Sequence, residues 1–197
     1  MHKTTQIALA STHTRTIESF SKECADSFMK FFESFRSYTV SALGSLPDVV
    51  HLGEWVLQRI YDICSIVALH YDAICATKFY SFLRSFTSLL ASKIESLQQG
   101  ESIIGVSQSD LHMINSLTSF MESVNPVYWK NEIVNPILVK IFNLWLNIFM
   151  ARVAEEWEME ASYMMSVREE TTKLADIFSS GIVARCPDTF NIGAEHA

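Results

Sequence analysis

The chain is poor in the residues that break secondary structure: 6 Gly and 4 Pro in 197 residues. Charge is also sparse, at 19% Asp, Glu, Lys and Arg together, and the four cysteines form no CxxC pair. Each scarcity excludes a class. So few Gly and Pro exclude collagen-like and Gly/Pro-rich low-complexity chains, and four scattered Cys exclude a disulfide scaffold. The formal net charge of −7 disfavours a nucleic-acid partner, which wants a basic face. No stretch of eighteen or more residues is cleanly apolar, as a membrane span demands. What is abundant is bulk: 49% hydrophobic residues, with thirteen Phe, six Tyr and four Trp. Such a chain has ample apolar area to offset its ordering entropy, so it is globular rather than disordered.

Cys24, Cys64, Cys75 and Cys186 read as free thiols of a reducing compartment, and hence of a cytoplasmic protein. On one continuous helix Cys64 and Cys75 would stand ~16 Å apart, too far for a disulfide. The first ten residues are too weakly apolar for a secretory signal. Their Arg-, Ser- and Thr-rich continuation, free of acids before Glu18, shares the composition of a mitochondrial presequence but reads better as an ordinary terminus.

Punctuation divides the chain into helical segments. Residues 44–48 hold Gly44 and Pro47, and residues 98–109 hold Gly100 and Gly105. Asn125-Pro126 and Asn135-Pro136 each offer an N-cap followed by Pro at the first helical position. Ser179-Ser180-Gly181 predicts the end of the last helix. Over residues 11–43, Ile17, Phe20, Cys24, Phe28, Phe31, Phe35, Tyr38 and Ala42 recur at three- and four-residue steps, the signature of one helix face. Residues 48–97 carry only a narrow polar stripe, Gln58, Asp62, Ser65 and Asp72. This predicts burial on several sides, with a bend or break near residues 75–79. Residues 107–124 place Leu111, Ile114, Leu117, Met121 and Val124 on one face, behind a Ser107/Asp110 capping box. Residues 135–180 begin with the most apolar run, interrupted by Lys140, Asn143 and Asn147. A membrane span would have to bury that Lys and two Asn; a central bundle helix fits better. No strand alternation of useful length occurs. The fold class is therefore all-α: a single-domain bundle of about five to seven helices over residues 1–181, with a polar tail over 182–197.

Catalytic signatures are missing. There is no phosphate-binding loop, dinucleotide glycine pattern or nucleophile elbow. The histidines at 2, 13, 51, 70, 112 and 196 never pair at i,i+3 or i,i+4, and no Glu-x-x-His occurs. His70 reads as a core histidine. No cofactor, no metal and no catalytic residue is expected, and the chain is read as a non-enzyme.

Two amphipathic stretches oppose bulky apolar residues to Ser and Thr: residues 28–46, with Phe28, Phe31, Phe32 and Phe35, and residues 79–97, with Phe79, Phe82 and Phe86. Helices of that type sense loosely packed lipid, line a groove for a partner's helix, or line a pocket for an apolar ligand. A bundle core shows the same pattern. Glu155, Glu156, Glu158 and Glu160 concentrate acid in a region that holds nine acids against four bases after residue 150. They read as a solvated helix face, with Trp157 and Ala161 inward, or as a contact for a basic partner or a divalent cation.

Residues 12–22 (Thr-His-Thr-Arg-Thr-Ile-Glu-Ser-Phe-Ser-Lys) and 130–137 (Lys-Asn-Glu-Ile-Val-Asn-Pro-Ile) resemble elements of the C-terminal helical region in the "family with sequence similarity 114" group. The resemblance covers under a tenth of the chain, and the acidic stretch after Arg152 has no counterpart in it. It implies a Golgi-associated trafficking adaptor that binds a Rab-type small GTPase, and it carries no residue roles over. The leading expectation is a helical adaptor or scaffold with a protein partner, peripheral on an organelle membrane, with the Phe-rich and acidic faces as its contacts. The alternatives are a carrier of a lipid or other apolar ligand and a self-assembling, matrix-type homo-oligomer.

Overall fold

The computed structural model describes residues 15–103 and 105–191. The presequence question and the end of the expected tail lie outside them. Six helices form the bundle: α1 (Ile17–Leu43), α2 (Val49–His70), α3 (Ala73–Gln98), α4 (Gln108–Val124), α5 (Asn131–Val153) and α6 (Trp157–Arg185). A 3-10 turn (Pro187–Thr189) then leads into a two-residue parallel pairing of Phe190–Asn191 with Arg15–Thr16. The all-α expectation holds.

α1 follows its periodicity. Thr16 caps it by accepting from the Ser19 N–H at 3.1 Å, and Phe20, Cys24, Phe28, Phe32, Phe35 and Ala42 face inward. It packs on α2 along one side and on α6 along the other. It ends in a Schellman turn, with Leu46 N–H on Ser41 O and Ser45 N–H on Ala42 O. α3 ends the same way, with Gly100 in the left-handed conformation such turns favour.

Four expected boundaries are corrected. The break in residues 48–97 falls at Tyr71 and Asp72, and the Asp72 side chain caps α3 by accepting from Cys75 N–H. Cys64 and Cys75 consequently lie on different helices, not on one. Asn125 does not start a helix. It ends α4, and its Oδ1 accepts from Tyr128 N–H while its Nδ2 donates to Gly181 O at 2.8 Å. Asn135 and Pro136 lie inside α5, where Asn135 Nδ2 donates to Asn115 and Thr118 of α4 and so ties two helices together. Gly181 lies inside α6, which runs on to Arg185. The residues beyond are not simply a polar tail: Ile182 and Phe190 are buried.

The run 135–180 also folds back on itself. Glu155 adopts φ +59°, and the N–H groups of Glu155 and Glu156 bond to Arg152 O and Ala151 O. That Schellman turn, built without glycine, makes α5 and α6 an antiparallel pair. By length and composition α5 is apolar enough to cross a membrane. Here it is a central helix, burying Leu138, Phe142, Trp145, Leu146 and Phe149. Its Lys140 emerges to reach Glu170 of α6 at 2.7 Å, and Lys173 reaches the same oxygen at 2.8 Å.

α4 begins with the expected capping box. Asp110 is fully buried, takes Ser107 N–H and Oγ–H on one carboxylate oxygen, and pairs with Lys93 of α3 at 2.9 Å. Burial alone would raise its pKa, but the Ser107 and Lys93 hydrogen bonds outweigh that and hold it below the usual value. Asp110→Ala is expected to cost about 2 kcal/mol, roughly half for the cap and half for the partly exposed ion pair. Because the folded pKa is the depressed one, this contribution is complete above the unfolded value near 4. It is lost as pH falls through the folded value. Urea midpoints at pH 7 and pH 3 check both statements: the gap between wild type and variant should shrink at the lower pH.

Candidate functional site

The Phe residues singled out by pattern are core residues. Phe28, Phe32, Phe35, Phe79 and Phe86 are buried, and Phe31 and Phe82 are half-buried. Each is engaged by another ring. Phe28 and Phe79 meet Phe178 of α6 at 5.2 and 5.8 Å. Phe32 and Phe35 pack on Trp145 of α5, Phe31 stacks on Phe35, Phe82 on Phe120, and Phe86 meets Phe142 edge-on. They are therefore corrected as contact candidates: α1 turns its aromatic face towards α5 and α6, and α3 turns its own towards α4, α5 and α6, so those faces are spent inside. Between them lies a cavity of about 40 Å³, bordered by Phe28, Phe86, Leu138 and Leu174 among others. That is well below the ~300–1,000 Å³ of ordinary ligand sites.

The acidic cluster divides in the same way. Glu155 and Glu156 form the α5–α6 turn, and Glu158 is exposed on the first turn of α6. Glu160 is buried and accepts from Arg152 at 2.6 Å. Trp157 and Ala161, expected inward, are exposed; the Arg152 guanidinium lies 5.7 Å from the Trp157 ring. The four glutamates do not make one contact face. His70 is clasped between Phe20 and Phe190, at ring separations of 5.1 and 5.4 Å. Burial pushes the Cys64 thiol up to about 12, with nearby Cys75 adding to the effect. That suppresses its thiolate at neutral pH. All four cysteines are free thiols. Among the described residues, no group of three or more His, Cys, Asp or Glu is placed to hold a metal ion.

The exposed apolar surface lies elsewhere. α2 packs chiefly on α1 and α3, and the opposite side is open. Val50, Trp55, Leu57, Tyr61 and Leu69 are exposed there, between Leu46 before the helix and Ile74 after it. Val50, Leu57, Tyr61 and Ala68 follow one another at seven, four and seven residues, so they line one edge. That edge borders a groove against α3. It opens in three successive hollows of about 510, 170 and 320 Å³. The first lies between Val50 and Ile94, the second between Leu57 and Arg84, and the third between Tyr61 and Tyr80. Gly53, Ser65, Ala68, Ala76 and Ala91 keep its walls low. From Val49 to Ala68 the groove is roughly 29 Å long at 1.5 Å per residue. Pattern reading missed it because α2 is apolar nearly all round, which reads as burial. The available signal was Trp55 and Leu69 on the same flank as Gln58 and Asp62, a mixture that a buried face would not carry. It marked α2 as open to solvent but lies on a different flank from the groove edge.

Compared with known proteins, the chain matches no family model, no curated protein and no solved structure.

Proposed function

We propose that this chain is a non-enzymatic helical adaptor whose α2–α3 groove receives an amphipathic helix of a partner protein. The observation that carries this reading is the groove itself: about five helical turns long, edged by Val50, Leu57 and Tyr61, and low-walled where a second helix would lie. Small residues let helix axes approach closely, and exposed Leu and Tyr side chains such as Leu57 and Tyr61 are anchors for a helix-in-groove contact. An adaptor is also what the resemblance to the trafficking family implies, and the groove gives that expectation a surface that the Phe faces do not.

A photo-crosslinking residue placed at Leu57 tests this in the source cell. The expected product is a discrete adduct with a different protein, joined through an amphipathic helical segment. Tyr61→Glu is expected to weaken that contact about thirtyfold, since a central anchor contributes about 2 kcal/mol, while leaving helical content unchanged. An adduct only with a second copy of the chain would replace the adaptor by a self-assembling protein. No adduct from Leu57 or from Tyr61 would remove the groove from consideration.

A further inference from the structure

A second opening, of about 460 Å³, lies between α1, α6 and the end of α5, with no residue of α2 or α3 in its lining. Its charge is opposite to that of the chain. Arg36 of α1, Arg152 of α5 and Arg168 of α6 converge on it, against the single carboxylate of Glu160. Arg152 is committed to that carboxylate at 2.6 Å. Among the described residues no ion pair involves Arg36 or Arg168, so two guanidiniums remain for an incoming anion. The rest of the lining is apolar: Phe32, Met164, Met165, Ala161 and Trp157.

We propose that this opening binds a single-chain anionic amphiphile, a carboxylate or phosphate head on an aliphatic body. The head sits between Arg36 and Arg168, whose planar forks match both anions. The aliphatic body lies on Ala161, Met165 and Trp157, above the buried Phe32 and Met164. The volume falls within the ~300–1,000 Å³ of ordinary ligand sites. A bare inorganic anion would leave the apolar half of the lining wet. A polyanion or an anionic bilayer would meet Glu155, Glu156 and Glu158, which surround Trp157 in sequence and are exposed; like charges there oppose a broad negative surface. The chemistry therefore selects a ligand of one charged group, taken as a monomer. Flexible methionines suit a chain of variable length.

Calorimetric titration of the full chain with decanoate and with decyl phosphate, both below their micellar concentrations, is the test. One site per chain is expected, with a dissociation constant below about 0.1 mM. Arg36→Gln/Arg168→Gln is expected to weaken both ligands at least about tenfold. Lys22→Gln/Lys78→Gln, which removes the same charge from exposed positions outside the opening, should leave the constants unchanged. Met165→Glu, at a site 65% exposed, brings a carboxylate into the lining and should weaken both ligands as the double arginine variant does. Equal binding of decanol, or of inorganic phosphate, would overturn the proposal, as would full affinity in the arginine variant or no heat from either ligand at 1 mM. Co-sedimentation with phosphatidylglycerol vesicles that the Arg36→Gln/Arg168→Gln variant loses would overturn the monomeric source in favour of a membrane.

Discussion

Replacing Phe178 by alanine is expected to lower the unfolding free energy by about 4 kcal/mol, the centre of the range for truncating a buried Phe. Phe178 is fully buried in α6 and stands where four parts of the chain meet. Its ring touches Phe28 of α1 edge-on at 5.2 Å, Phe79 of α3 at 5.8 Å, and Trp129 of the α4–α5 connection at 5.3 Å with an interplanar angle of 3°. Alanine leaves a void bordered by three large rings, each anchored on a different element, so collapse into it is poor and the cavity contribution stays high. The lost ring pairs add to the transfer free energy. Urea unfolding followed by circular dichroism checks the value, and the thermal midpoint should fall by about 10 °C for a chain of this size. Phe178→Leu keeps most of the volume and should cost under ~1.5 kcal/mol. A loss below 1 kcal/mol for the alanine variant would mean that the rings around Phe178 do not form one packed unit.

That junction also explains which parts of the site were legible in the sequence. The periodicity of α1 is a local property, and it named Phe20, Cys24, Phe28 and Phe35 as one face correctly. The Ser107/Asp110 box and the Gly100 turn are likewise written in adjacent residues. Whether a Phe face is core or contact is not local. It depends on what stands opposite, and Phe178, Trp145 and Phe142 come from helices more than fifty residues away. The break after Val153 was invisible for another reason: its left-handed residue is Glu155, not Gly or Asn. Placing a non-Gly residue there costs roughly 1–2 kcal/mol, offset by the packing of α5 on α6, which only the folded chain supplies. The Arg36–Arg168 opening joins positions 132 residues apart in number, and no spacing rule reaches that far.

Gly181 shows the same limit from the opposite direction, because its local reading as a helix end has a plain alternative that only packing reveals. On helix propensity alone, Gly181→Ala inside α6 should stabilise the chain by about 1 kcal/mol. The space decides otherwise. A Cβ there would stand 2.2 Å from Trp129 Nε1, 2.8 Å from its Cδ1 and 2.9 Å from its Cε2. The indole cannot step aside cheaply. It is buried, stacked on Phe178, 5.5 Å from the Tyr71 ring, and its Nε1–H donates to Ile177 O at 3.2 Å. Asn125 meanwhile donates to Gly181 O at 2.8 Å, so the backbone of α6 is held from the same side. Overpacking at the upper end of its usual range, about 3 kcal/mol, plus a weakened indole hydrogen bond of about 1, outweighs the propensity gain. The net expectation is a loss near 3 kcal/mol, read from urea midpoints. The partner variant separates this steric account from a purely backbone one. In a Trp129→Leu background, itself destabilised, the further change Gly181→Ala should cost under 1 kcal/mol or stabilise, because the atoms it meets are gone. The resulting coupling energy of ~3 kcal/mol would be the signature of a glycine kept as a notch for Trp129. A Gly181→Ala chain as stable as the wild type would instead show that Trp129 has a second resting place, and that the α4–α5 connection is not held in the manner described.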